Sequence, residues 1–149
     1  MKNIKEALKI VFFGTPEFAS FCLQELFSNG FIIKGVVTAP DRKAGRGKKF
    51  KKSAVKNYAE INGFPIYQPE NLKSVEFVKD LRKIGADAFV VVAFRMLPKL
   101  VWSIPNLGTI NLHASLLPNY RGAAPINWVL INGEVSTGVT TFLINEQID

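Results

Sequence analysis

Residues Ala88 to Phe94 read Ala-Phe-Val-Val-Val-Ala-Phe, an unbroken apolar run with a β-branched centre. A strand with one wet face alternates apolar and polar side chains, and a run without alternation is buried on both faces. This run is therefore expected at the centre of a parallel sheet with helices on either side. Leu8 to Phe13 is a second such run, closed by Gly14, and a helix is predicted directly after it. Thr15 would cap that helix, Pro16 suits its first position, and Phe18, Phe21, Cys22, Leu23, Leu26 and Phe27 give it an apolar face before Asn29-Gly30.

The remaining segments keep the alternation. Strands are predicted at Phe31 to Thr38, Phe64 to Gln68, Thr109 to Ala114 and Thr137 to Ile144. Helices are predicted at Ser53 to Ile61 with Ser53 as cap, Ser74 to Ile84 stopped by Gly85, Pro98 to Ser103, and Ala124 to Ile131. No repeat or linker interrupts the order. The expected fold is α/β, a doubly wound and mostly parallel sheet.

Several function classes lose ground at once. The first strand-helix turn holds one glycine, so the Gly-x-Gly-x-x-Gly dinucleotide fingerprint is missing, as is the Gly-Lys-Ser/Thr phosphate loop. One histidine and one cysteine in 149 residues give no cluster for zinc and no internal disulfide, and no metal is expected. Cys22, among aromatics in mid-helix, is better explained as a small core residue than as a nucleophile. No apolar run reaches the ~20 residues of a membrane span, and the amino terminus lacks a signal peptide's centre. A cytoplasmic location is expected.

The net charge of +7 is concentrated in one place. Arg42, Lys43, Arg46, Lys48, Lys49, Lys51 and Lys52 lie within eleven residues that contain no acid, and the rest of the chain is balanced. Gly45 and Gly47 argue against a helix there and for a mobile loop, disordered in isolation. Such a run is often only a solvated face, but like charges this dense repel one another, and a polyanion such as nucleic acid would offset the cost. Phe50 within it would either stack on a nucleic acid or anchor the loop to the core.

The candidate chemistry lies in the stretch from Gly108 to Pro125. Asn111 and His113, the sole histidine, are two apart on a predicted strand, so they share a face. The Pro, Gly and Asn content from Pro118 to Gly122 marks a loop at the strand end, where open α/β sheets bind ligands. A satisfied pair of polar groups is the plain alternative. Arg95, just after the central run, would meet an anion or lie on the surface. Ser115 lacks the Gly-x-Ser-x-Gly turn, which makes a Ser/His/Asp hydrolase a weak reading.

Asn-x-His followed by Ser-Leu-Leu-Pro-x-Tyr-Arg-Gly resembles the signature of the folate-dependent formyltransferases. Phe-Gly-Thr-Pro-Glu-Phe-Ala at 13 to 19, Pro-Asp-Arg-Lys-Ala-Gly-Arg-Gly-Lys-Lys at 40 to 49 and Thr-Gly-Val-Thr at 137 to 140 extend the likeness over nearly the whole chain. The segment at 40 to 49 is similar to the branch whose acceptor is initiator methionyl-tRNA, rather than a small amine. The resemblance implies a Rossmann-like formyltransferase domain and formyl transfer from 10-formyltetrahydrofolate. It implies Asn111, His113 and Asp149 as the catalytic set. It further implies that Arg95, Met96 and Leu97 contact the pterin largely through main chain, that Ser115, Leu116, Leu117 and Pro118 line the pocket, and that the basic run, led by Arg42, enters the tRNA acceptor arm.

Each catalytic residue type has a chemical reason. As an amine attacks the formyl carbon, the formyl oxygen gains negative charge, which a neutral amide such as Asn111 can stabilise. His113 can donate to that oxygen or pass a proton between the two nitrogens, and Asp149 beside it would favour the protonated ring. The family continues past Asp149 to finish this domain and adds a β-barrel domain, so residues 1 to 149 are expected to be an incomplete catalytic domain, truncated at its carboxyl end and nearly inactive alone. A formyltransferase for a small amine and a noncatalytic RNA-binding module are the competing readings.

Overall fold

The computed structural model describes residues 8–147. In chain order the elements are β1 (Lys9–Gly14), α1 (Glu17–Ser28), β2 (Ile32–Val37), β3 (Arg42–Ala44), β4 (Lys49–Lys51), α2 (Ala54–Ile61), β5 (Ile66–Tyr67), α3 (Val75–Ile84), β6 (Ala88–Val92), α4 (Lys99–Trp102), β7 (Thr109–His113), α5 (Pro125–Ile131) and β8 (Thr140–Leu143). Six strands form one sheet in the order β5-β2-β1-β6-β7-β8, while β3 and β4 pair only with each other. All neighbours in the large sheet run parallel except β7 and β8. The chain thus winds outward from β1 to β5, then returns to β6 on the other side of β1. Ligands of open α/β sheets bind at this reversal, outside the carboxyl ends of the strands.

The two apolar runs explain the layering. Phe12 and Phe13 are adjacent and both fully buried, because successive side chains on a strand point to opposite faces. Phe13 joins Val11, Phe89 and Leu81 in one core, over which α3 and α4 pack. Phe12 joins Leu23 of α1 and Val55 of α2 in the other. Fully burying one such side chain contributes about 1.5–3 kcal/mol, so β1 and β6, buried on both faces, anchor the domain. Gly14 ends β1 where nothing larger fits: a Cβ there would lie 2.7 Å from the Ala19 Cβ and 2.9 Å from the Val92 carbonyl oxygen.

The Ser53 cap of α2 and the Gly85 stop of α3 form as predicted, and Ser74, expected as the first residue of α3, is its N-cap. Ser53 Oγ accepts from the Lys56 amide at 3.0 Å and Ser74 Oγ from the Phe77 amide at 3.2 Å, with Gly85 left-handed after α3. Elsewhere the structure departs from expectation. Pro16, not Thr15, is the N-cap of α1, and Thr15 Oγ1 instead accepts from the Ala39 amide, tying the β1 turn to the end of β2. Phe21 and Phe27 are exposed, because a helix lying flat on a sheet buries a narrow stripe, here Ala19 and Leu23. Phe27 packs edge-on against Phe64 rather than into the sheet core.

The largest departure is the basic run. It forms a β-hairpin rather than a loop, pairing Arg42 with Lys51, Lys43 with Phe50 and Ala44 with Lys49. Gly45 at φ 77° and Lys48 at φ 48° turn the chain, and the Lys48 amide donates to the Gly45 carbonyl. Glycine supplies the left-handed residue that tight hairpins need, so it ends the strands without dissolving them.

Candidate active site

A cleft of about 1630 Å³ opens at the carboxyl ends of β1, β6 and β7, where the winding reverses. Asn111 and His113 both line it, as the period of two on β7 requires. Among the described residues the Asn111 side chain makes no hydrogen bond, so its amide is available to a ligand. His113 is 7% exposed, and its Nε2 lies 2.7 Å from the Tyr120 carbonyl oxygen. A carbonyl only accepts, so Nε2 carries the proton in this contact.

The loop after β7 is built to hold that carbonyl in place. Tyr120 is left-handed at φ 56°, and the fully buried Ser115 donates from Oγ to the Asn119 carbonyl at 2.6 Å. The Tyr120 hydroxyl donates to Glu134 and accepts from the Asn132 side-chain amide at 3.1 Å. The Glu134 hydrogen bond pushes the phenol above its ordinary range, so it remains a donor. Thr140 Oγ1 accepts from the Leu117 amide at 3.0 Å and donates to the Ser115 carbonyl at 2.7 Å, fastening the loop to β8.

Two further residues facing the cleft, Ala93 at φ 49° and Ala124 at φ 55°, are left-handed without being glycine. Each such conformation costs about 1–3 kcal/mol, and these concentrate at functional sites. Ala93 turns the chain off the end of β6 into the cleft wall. Ala124 begins α5.

A family model for formyl transferase matches residues 8–149. The chain belongs to the formyl transferase family. It is 59% identical to a methionyl-tRNA formyltransferase of Flavobacterium johnsoniae over 144 residues, covering 97% of this chain and 46% of that protein. It is also 52% identical to a methionyl-tRNA formyltransferase of Clostridioides difficile over 143 residues, covering 95% of this chain and 46% of the relative. The chain thus spans a little under half the length of these curated relatives. Among solved structures, a phosphoribosylglycinamide formyltransferase from Bacillus halodurans superposes with a TM-score of 0.74 at 16% identity, over 95% of this chain and 74% of that one. That likeness is one of fold.

Within this formyl transferase domain, the structure brings together some of the residues the sequence singled out and separates others. Asp149 lies outside the described residues. Met96 is 74% exposed in the cleft wall, whereas Leu97, also on the wall, is anchored in the core. Arg95 meets neither an anion nor open solvent alone: its guanidinium donates to the Pro69 carbonyl at 2.7 Å and the Glu70 carbonyl at 2.9 Å, over the Phe94 ring. It clamps the β6–α4 connection to the segment after β5. Ser115, Leu116, Leu117 and Pro118 do not line the cleft, because Ser115 and the Leu117 amide are drawn into the hydrogen bonds behind His113.

The hairpin divides the basic residues in the same way. Arg42, Lys51 and Lys52 line the cleft, while Lys43, Arg46, Lys48 and Lys49 do not. Lys52 is held by Glu60 at 2.9 Å, which raises its pKa, but none of the other six forms an ion pair among the described residues. Sequence reasoning missed the brace at the hairpin's base. Asp41 accepts from Lys56 Nζ at 2.7 Å and from Gln68 Nε2 at 2.8 Å, and Gln68 also donates to the Ala39 carbonyl. The Lys56 and Gln68 hydrogen bonds hold the Asp41 carboxyl below its usual range. An acid directly before an acid-free basic run was the signal available. Cys22 lies away from the cleft, and burial, with Glu25 nearby, pushes its thiol up, against any nucleophilic role.

Proposed function

We propose that this domain transfers the formyl group of 10-formyltetrahydrofolate to the amino group of initiator methionyl-tRNA. The observation that carries the reading is that one cleft is lined both by Asn111 and His113 and by the cations Arg42 and Lys51. The relatives at 52–59% identity bear the name of that activity.

The chemistry follows from the residues. Asn111 donates its amide hydrogen to the formyl oxygen as that oxygen gains charge, and being neutral it does so at any working pH. His113, fixed through Nε2, takes up and releases a proton at Nδ1 and so relays it from the attacking amine toward the departing nitrogen. Asp149 is assigned the carboxylate that orients the charged ring. No covalent enzyme intermediate is required, because the acceptor amine is itself the nucleophile. Phe94, Arg95, Met96 and Leu97 belong to no helix or strand, and their main-chain groups make no hydrogen bond among the described residues. Unpaired donors and acceptors beside a hydrophobic wall suit a flat heterocycle with polar edges, and this supports the pterin at that segment. Single-ligand pockets occupy about 300–1,000 Å³, so the larger cleft accommodates donor and acceptor together.

The test is transfer of labelled formyl from 10-formyltetrahydrofolate to initiator methionyl-tRNA by the full-length protein, with His113→Ala as control. Transfer that vanishes in the variant supports the assignment. Transfer to a ribonucleotide amine but not to tRNA keeps the chemistry and rejects the acceptor, and no transfer to any amine rejects both.

A further inference from the structure

The hairpin has two faces. Its register sets Arg42 opposite Lys51 and Ala44 opposite Lys49, and of these Arg42, Ala44 and Lys51 line the cleft. Lys43 and Phe50, the remaining cross-strand pair, fall on the alternate face and do not line it. Phe50 is 67% exposed, so it is no anchor to the core. Lys43 Nζ stands 5.5 Å from the centre of its ring, and no other aromatic ring packs on it. Exposed aromatics elsewhere, Phe21 on α1 and Trp128 on α5, have no cation over them among the described residues. Here an apolar ring is held out from a two-stranded arm among six cations with no ion pair among the described residues.

An aromatic face amid backbone-neutralising cations is the arrangement that binds unpaired nucleic acid: the cations track phosphates and the ring stacks on a base. We infer that Phe50, steadied by Lys43, is a stacking site for one unpaired nucleobase of the bound RNA, on the side of the hairpin away from the reacting groups. The inference rests on the RNA reading above and deepens it. The cleft face grips phosphates beside the reaction, and the outer face holds a base that the reaction does not touch.

The experiment measures binding of the full-length protein to two RNAs, a stem with a short unpaired tail and the same stem with a blunt end, across a salt series. Phe50→Ala is expected to weaken binding of the tailed RNA by roughly 5- to 150-fold, the usual loss for one base stack, with an unchanged salt slope and no effect on the blunt stem. Phe50→Trp should restore the tailed complex. Lys51→Gln should lower affinity for both RNAs and reduce the salt slope by about 0.7 to 0.9. Equal loss on both RNAs for Phe50→Ala, or no loss, overturns the stacking site while the effect of Lys51→Gln keeps the RNA reading. If Lys51→Gln and Arg42→Gln also leave both complexes unchanged, the RNA reading itself falls.

Discussion

Asn111 and His113 differ in how far the surrounding residues specify them. The imidazole is nearly enclosed, its Nε2 committed to the Tyr120 carbonyl, in a loop fastened by the buried Ser115 hydroxyl on the Asn119 carbonyl and by the Tyr120 hydroxyl on Glu134. The amide of Asn111 has no such partner among the described residues, so in the proposed chemistry its contribution is realised when a developing charge arrives. Removing one donor to such a charge typically costs about 10²–10³ in kcat. Asn111→Ala is therefore expected to lower kcat for formyl transfer by about that factor with little change in either KM, as read from steady-state kinetics. A comparable rise in KM with kcat intact would instead assign Asn111 to ground-state binding. Arg95 works at one remove. Arg95→Met removes both carbonyl clamps, and the expected result is a KM for the folate raised several-fold with kcat largely kept, because the wall segment is displaced while β7 is not.

At the level of elements, the sheet was legible in the sequence and its attachments were not. Ala88 to Phe94 and Leu8 to Phe13 carry their burial in composition alone, and Ser53 starts and Gly85 stops a helix, because these signals are local. Thr15 was misassigned because its hydroxyl serves the distant Ala39 amide, a partner that no spacing reveals. The site was half legible for the same reason. Two positions on one strand share a face by rule, whereas the turn of Ser115 to Pro118 away from the cleft depends on Thr140 across the sheet. Gly14 tests a crowded junction. Gly14→Ala places a methyl against Ala19, Phe12 and the Val92 carbonyl, and a loss of about 1–3 kcal/mol is expected by urea unfolding. The brace below the hairpin is tested by acid. Because the Asp41 carboxyl titrates below its ordinary value of about 3.9, its contribution is complete above that pH and is lost as the pH falls through the lower native value. The Asp41 carboxyl carbon, followed by NMR, should thus titrate below the ordinary range and move upward in Lys56→Met.

For the whole molecule, the decisive property is that its excess charge is not a property of the whole. Outside residues 42 to 52 acids and bases balance, so the remainder of the chain, α3 included, adds no net charge to the total. Inside that segment six cations stand without ion pairs among the described residues, and two of them, Arg42 and Lys51, line the cleft, so part of the field they make falls on the proposed site. If all six meet phosphates, the logarithm of the affinity for tRNA should fall with the logarithm of salt at a slope of at most about 4 to 5. Each cation neutralised in the hairpin should remove a fixed share of that slope. Lys79→Gln on α3, which removes one charge from the same total, should leave it unchanged. The measurement is a set of dissociation constants across a salt series for the wild type, Arg42→Gln, Lys51→Gln and Lys79→Gln. Equal effects of all three substitutions would mean that net charge alone attracts the RNA and that the position of the hairpin is immaterial. A slope that responds to Arg42 and Lys51 and ignores Lys79 ties the binding of a large polyanion to the cleft that Asn111 and His113 also line.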